Sequence, residues 1–262
     1  MKNTSFSPLI SVIMNCYNGE KYLADSLSSL QSQSYKNWEL IFWNNCSKDQ
    51  SKKILLSFKD KRFKYFESKK FKNLYDSRNL AIKKAKGKLI CFLDTDDFWK
   101  KEKLNKQVKL FAKDKDLKFV YSNFFQFYQK TKKSKIFKKS FLPEGNITQK
   151  ILNNYCIGIL TVMIDSKILK KNLFNKRLNI IGDFDLFFKL SQKLNIKAIQ
   201  DPLAYYRVHN ENYTKLKIKQ HLKEINFWLY QNKNTKYSIK NVKKLKYKLV
   251  VKIFLKKIFD LF

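Results

Sequence analysis

Glycine and proline are scarce in this chain, at five and three of 262 residues, which argues for dense packing and against long flexible linkers or a disordered composition. The cysteines are few and far apart. Cys16, Cys46, Cys91 and Cys156 form no C-x-x-C pair, so neither a zinc site nor a disulfide framework is expected, and reduced thiols in the cytoplasm fit. No stretch of about 18 uncharged apolar residues occurs, which excludes an ordinary transmembrane helix. The apolar run at 9–14 is short and lacks a cleavage signature, so it does not read as a signal peptide.

Acidic residues are also few, 21 against 56 basic ones, and the resulting charge of +35 should draw the chain toward polyanions or anionic lipid. Arginine, however, occurs only at Arg62, Arg78, Arg177 and Arg207. Base readout and bidentate phosphate recognition favour arginine, and no nucleic-acid-binding motif is present, so nucleic acid is not the expected partner. A lysine drift from an AT-rich coding sequence explains the charge equally well.

What is present is apolar periodicity. Short β-rich runs at 9–14, 39–43, 63–66, 89–93 and 117–121 alternate with segments long enough for crossover helices. Tyr22, Leu23, Ser26, Leu27 and Leu30 share one helical face, and Leu104, Val108 and Phe111 another. These features predict an α/β fold: a mostly parallel sheet flanked by helices, with ligands at the C-terminal strand ends. Beyond it, 124–131 and 136–141 read as a hairpin, 159–164 and 196–200 as strands, and 183–194 as a helix. From Lys215 onward, 14 lysines face Glu224 and Asp260. Lys248, Lys252 and Lys256 fall on one stripe opposite Leu249, Ile253, Phe254 and Ile258, the form of an interfacial helix at an anionic membrane or of a helix closing the core.

Chemistry concentrates where the strand at 89–93 ends in Asp94, Asp96 and Asp97. Carboxylates this close raise one another's pKa unless a cation neutralises them, and hard oxygen ligands suit Mg²⁺ or Mn²⁺. A strand-end acidic cluster of this kind reads as a metal-diphosphate site. Asp183 and Asp185 open a helix where a carboxylate could cap the helix and also face a cleft.

The segments at 11–23 (SVIMNCYNGEKYL), 33–40 (QSYKNWEL), 78–82 (RNLAI), 85–90 (AKGKLI), 93–97 (LDTDD) and 182–186 (GDFDL) resemble, in order, the motifs of family 2 glycosyltransferases. The resemblance implies a GT-A fold, a Rossmann-like mixed sheet flanked by helices, over 1–213. Its nucleotide-sugar part would span about 9–121 and its acceptor part about 122–213, with a basic helical extension at 214–262. It implies that Asn15, Tyr17 and Glu20 line the nucleotide pocket, that Asn45 faces the base, and that Arg78 approaches the nucleotide or its phosphates. Asp94 and Asp96 would belong to the same site, Asp96, Asp97 and His209 to the metal, and Asp183 would be the general base. The implied reaction is inverting transfer from a nucleotide-sugar to a saccharide or lipid-linked acceptor, peripheral to the inner membrane face.

Two departures stand out. Asn44 and Asn45 replace paired aspartates, leaving the donor base open among uracil, thymine and guanine, with UDP favoured. Gly182 stands where the family often has Glu. A polyanion-binding protein, or a transferase-like domain that has lost catalysis through the Asn44-Asn45 change, are the rival readings.

Overall fold

The computed structural model describes residues 6–212 and 216–259. The boundary expected near Tyr213 and the side chains of Lys256 and Ile258 lie outside the described residues. Strands β1 (Ile10–Cys16), β2 (Trp38–Asn44), β3 (Phe63–Glu67) and β4 (Leu89–Phe92) pair in parallel in the order β3-β2-β1-β4. All seven residues of β2 are buried, as a strand covered on both faces requires.

Helices α1 (Glu20–Gln31), α2 (Ser51–Ser57) and α3 (Leu74–Lys84) link these strands. The expected α1 face, Tyr22, Leu23, Ser26, Leu27 and Leu30, is the one buried. Asn73 starts α3 by accepting the Asp76 N–H. After β4 come β5 (Phe98–Trp99), α4 (Lys103–Lys113), β6 (Phe119–Tyr128), β7 (Lys133–Ile136), α5 (Thr148–Asn153), a 3₁₀ turn (Ile159–Thr161), β8 (Met163–Asp165), α6 (Ser166–Lys171), α7 (Gly182–Ser191) and β9 (Ile196–Val208). The sheet continues from β4 through antiparallel β8 to β6, β9 and β5, so it is mixed.

Four elements differ from expectation, the first being the strand expected at 159–164, whose opening residues Ile159–Thr161 are a 3₁₀ turn and whose strand is only β8, Met163–Asp165. The strand expected at 117–121 runs on to Tyr128, because irregularities on either side of Asn123 let β6 bend without ending. Its hairpin partner is 133–136 and not 136–141. β9 extends to Val208 past Pro202, which pairs at one of those irregularities, where a missing N–H is tolerated.

The chain closes with α8 (Ile218–Gln231) and α9 (Lys240–Phe259). Ile225, Trp228, Val242 and Leu249 join the core on the α7 side of the sheet. Trp228 sits 5.0 Å from the Phe184 ring and 5.1 Å from Phe188. The Glu224 carboxylate accepts the N–H groups of Asn179, Ile180 and Ile181 at 2.9–3.1 Å, tying α8 to the segment that leads into α7.

The apolar side expected on α9 is split. Leu249 is buried and Ile253 half-buried, but Phe254 is exposed, because one residue advances about 100° around a helix. No helix among the described residues is long and apolar enough to cross a membrane.

Candidate active site

The strand order turns between β1 and β4, and such a switch point opens a crevice at the C-terminal strand ends. A cavity of about 310 Å³ lies there, and Asn15, Tyr17, Asn45, Arg78, Asp94 and Asp96 all line it. Six of the expected positions are therefore brought together. Gly19 allows the tight approach of the β1–α1 loop, since a Cβ there would lie 2.9 Å from the Thr95 hydroxyl.

Each side chain is held differently. Tyr17 is 56% exposed and meets the exposed Phe71 edge-on at 4.8 Å, making an aromatic mouth. Asn45 does not offer its amide freely: Nδ2 donates to the Lys72 carbonyl at 2.7 Å and Oδ1 accepts the Lys72 N–H at 3.1 Å. An aspartate could match only the second bond, which accounts for asparagine here. By contrast, both polar atoms of the Asn15 side chain are buried and have no partner. An orphaned amide on a cavity wall is costly unless a ligand satisfies it.

The buried Arg78 guanidinium pairs with Asp94 and lies over the Tyr75 ring, 5.4 Å from its centroid. Glu20 serves elsewhere. Its carboxylate accepts the Gln50 N–H at 2.7 Å and its own N–H donates to Asp49 at 2.9 Å, bracing the β1–α1 loop against α2 and away from the cavity lining.

The carboxylates after β4 diverge. Asp97 is buried and accepts the Arg207 N–H at 2.9 Å, pointing away from the cavity. Burial, with Asp96 and Asp94 beside it, pushes its carboxyl well above the usual range. Arg207 also donates to the Asp96 carbonyl at 2.7 Å and to Asp25 at 2.8 Å, so β9 fixes this loop. Asp96 meets His209, their Oδ2 and Nε2 atoms 3.0 Å apart.

No group of three or more His, Cys, Asp or Glu among the described residues converges as a closed metal site. An open pair such as Asp96 and His209 suits a divalent ion that takes its remaining ligands from phosphate and water. Asp97, turned inward, is not placed to join them.

Asp183 opens α7 beside this cavity. Its Oδ1 accepts the Tyr75 hydroxyl at 3.2 Å and its Oδ2 the Tyr155 hydroxyl at 3.1 Å. Burial raises its carboxyl, while the Phe184 N–H, the Arg78 charge and the two hydroxyls pull it partway back. A carboxylate raised above its ordinary range is a stronger proton acceptor than a free one. Asp183 also lines a second cavity of about 470 Å³ between α5, α7 and the C-terminal helices.

Phe71, Tyr75, Tyr155 and Arg207 were not singled out from the sequence. Phe71 and Tyr155 lie in loops with no periodicity, where only their aromatic character marks them, whereas Tyr75 shares the buried face of α3 with Arg78, Asn79 and Ile82 and reads as an ordinary core position.

Residues 11–177 match the family model described as glycosyl transferase family 2. Over 214 residues the chain is 33% identical to the UDP-Glc:α-D-GlcNAc-diphosphoundecaprenol β-1,3-glucosyltransferase WfgD of Escherichia coli, covering 81% of this chain and 82% of that protein. It is 34% identical over 164 residues to TuaG of Bacillus subtilis, whose name assigns it to teichuronic acid biosynthesis, covering 62% and 64% respectively.

Among solved structures, S. aureus TarS 1–349 with UDP-GlcNAc shares the fold at a TM-score of 0.69 and 18% identity, over 92% of this chain and 71% of that one. The mannosyltransferase PcManGT of Pyrobaculum calidifontis, solved with GDP-Man and Mn²⁺, does so at 0.64 and 13%, over 90% and 69%. The GT-A architecture expected from the sequence is therefore the one adopted. The match over 11–177, with a relative aligned over four-fifths of both chains, makes this chain a glycosyltransferase of family 2.

Proposed function

We propose that the chain transfers a sugar from a UDP-sugar to a hydroxyl of a saccharide or lipid-linked saccharide, with inversion, in the assembly of a cell-surface polysaccharide or glycolipid. The observation that carries this reading is the position of Arg78, which is ion-paired with Asp94 in the donor cavity while its charge acts on Asp183 next door. Donor and base are thus adjacent.

Tyr17 and Phe71 would offer the base an aromatic surface at the cavity mouth. The free Asn15 amide offers a donor beside an acceptor, which complements the imide N–H and carbonyl edge of uracil. Asp96, with His209 once its ring is protonated at Nδ1 in place of its Glu211 contact, would hold Mg²⁺ or Mn²⁺. Such an ion, when bound, neutralises the diphosphate as leaving group.

Asp183 takes the proton of the acceptor hydroxyl as that oxygen forms its bond to the anomeric carbon, and Tyr75 and Tyr155 hold the carboxylate for that task. One displacement inverts the centre, so an α-linked donor gives a β-linked product. The UDP-Glc donor and β-linkage in the name of WfgD support this reading.

A thermal-shift screen of UDP, GDP and dTDP with and without Mn²⁺ tests the donor assignment. The expected result is a UDP shift enlarged by Mn²⁺. A larger shift with GDP, or none with any nucleotide, would overturn it.

A further inference from the structure

The second cavity has Asp183 on its wall and a volume of about 470 Å³, within the range of small-molecule sites. It is not built by the transferase motifs alone. His221 and Ile225 of α8 and Val242, Leu245 and Lys248 of α9 form one side of it. The hydrogen bonds of Glu224 to residues 179–181 fix that side to the segment preceding Asp183.

Helical geometry then orders the surface of α9. At about 100° per residue, Val242, Leu245 and Leu249 face the core and cavity, and Lys244, Lys248 and Lys252 form the adjoining row. Next around the helix come Tyr247, Val251 and Phe254, which are 67%, 56% and 62% exposed. Moving outward from Asp183, the order is therefore carboxylate, mostly apolar cavity, cationic row, exposed apolar strip. A free saccharide has no use for the last two. A saccharide carried on a phosphorylated lipid matches all four, hydroxyl to Asp183, anionic linkage to the lysines and chain to the apolar strip.

We infer that this cavity is the acceptor subsite, that α8 and α9 are its wall, and that it takes an anionic amphiphile whose phosphate or diphosphate lies against Lys244, Lys248 and Lys252. The inference rests on the reading of Asp183 as base. Cation and apolar strip together also exclude an acidic protein segment as the better fit, since its charges would leave Tyr247, Val251 and Phe254 unmatched.

The test is calorimetric titration of the full chain with farnesyl diphosphate, with inorganic diphosphate and phosphatidylglycerol vesicles as separate arms. Farnesyl diphosphate is expected to bind, and K244Q/K248Q/K252Q to weaken it on the order of a hundredfold, from roughly fivefold per lysine. Leu245→Trp, which fills the cavity, should weaken it at least tenfold.

Affinity for UDP with Mn²⁺ is measured on each variant. It reports the donor cavity and folding independently, so its absence in the unaltered chain would instead sink the donor assignment. Equal affinity for inorganic diphosphate would overturn the amphiphile. Vesicle binding that farnesyl diphosphate does not compete with, or that Leu245→Trp leaves unchanged together with farnesyl diphosphate affinity, would make α9 a membrane surface only and overturn the subsite.

Discussion

The Tyr75 ring occupies the space that a side chain at Gly182 would fill: a Cβ added there would lie 2.5 Å from the ring. From that position the Tyr75 hydroxyl accepts the Asp183 N–H at 3.1 Å and donates to its carboxylate at 3.2 Å. Glycine at 182 thus leaves room for an aromatic residue that holds Asp183 in place. Gly182→Ala should destabilise the protein by about 1–3 kcal/mol through overpacking and reduce turnover more than UDP affinity. Urea denaturation beside steady-state kinetics checks this, and an unchanged midpoint and kcat would contradict it.

Tyr155 and Tyr75 hydrogen-bond the charged form of Asp183 and so hold its carboxyl lower than burial alone would. Removing either hydroxyl lets the carboxyl rise, so the base stays protonated to higher pH. The acidic limb of the kcat profile should therefore move upward in pH for Tyr155→Phe and Tyr75→Phe, with UDP affinity unaltered. A limb that stays in place, or moves down, would exclude Asp183 as the group observed.

Most of the sheet and the helix faces were legible, because burial on β1, β2 and α1 leaves apolar spacing in the sequence. The gathering of Asn15, Arg78 and Asp94, the first and last at the ends of β1 and β4 and Arg78 within α3, was expected from the resemblance carried by the ordered motifs. What stayed hidden was partnership. The bonds of Asn45 to Lys72 are to backbone and leave no residue signature. Successive carboxylates in a turn point different ways, so the inward placement of Asp97 was invisible, as was the diversion of Glu20 to Gln50. The two-sided surface of α9 was masked because apolar residues on both sides blur a single stripe.

The two asparagines should respond in opposite ways. Asn45→Ala removes a doubly bonded amide and leaves the Lys72 backbone groups unpaired, at a cost of about 1–3 kcal/mol. Asn15→Ala removes an amide with no protein partner, so stability should hold or rise while UDP binding weakens about tenfold. Paired denaturation and UDP titration decide it. Loss of stability with intact UDP affinity in Asn15→Ala would contradict the base-reading role.

If Asp96 and His209 hold the ion, Asp96→Asn and His209→Ala should each lower Mn²⁺ affinity, measured with UDP present, by about 10–100-fold or more. Asp97→Asn should act mainly on stability, since its carboxylate faces Arg207. Chelation should abolish turnover of the unaltered protein and be reversed by Mn²⁺. Equal metal affinity in all three variants would remove the assignment.

The central claim is that Asp183 is the base and the neighbouring cavity the donor site. Asp183→Asn should bind UDP with Mn²⁺ as the unaltered chain does, while releasing UDP from a UDP-sugar in the presence of a saccharide acceptor about 10²–10⁴-fold more slowly. Full turnover in Asp183→Asn, or loss of UDP binding in step with turnover, would contradict it.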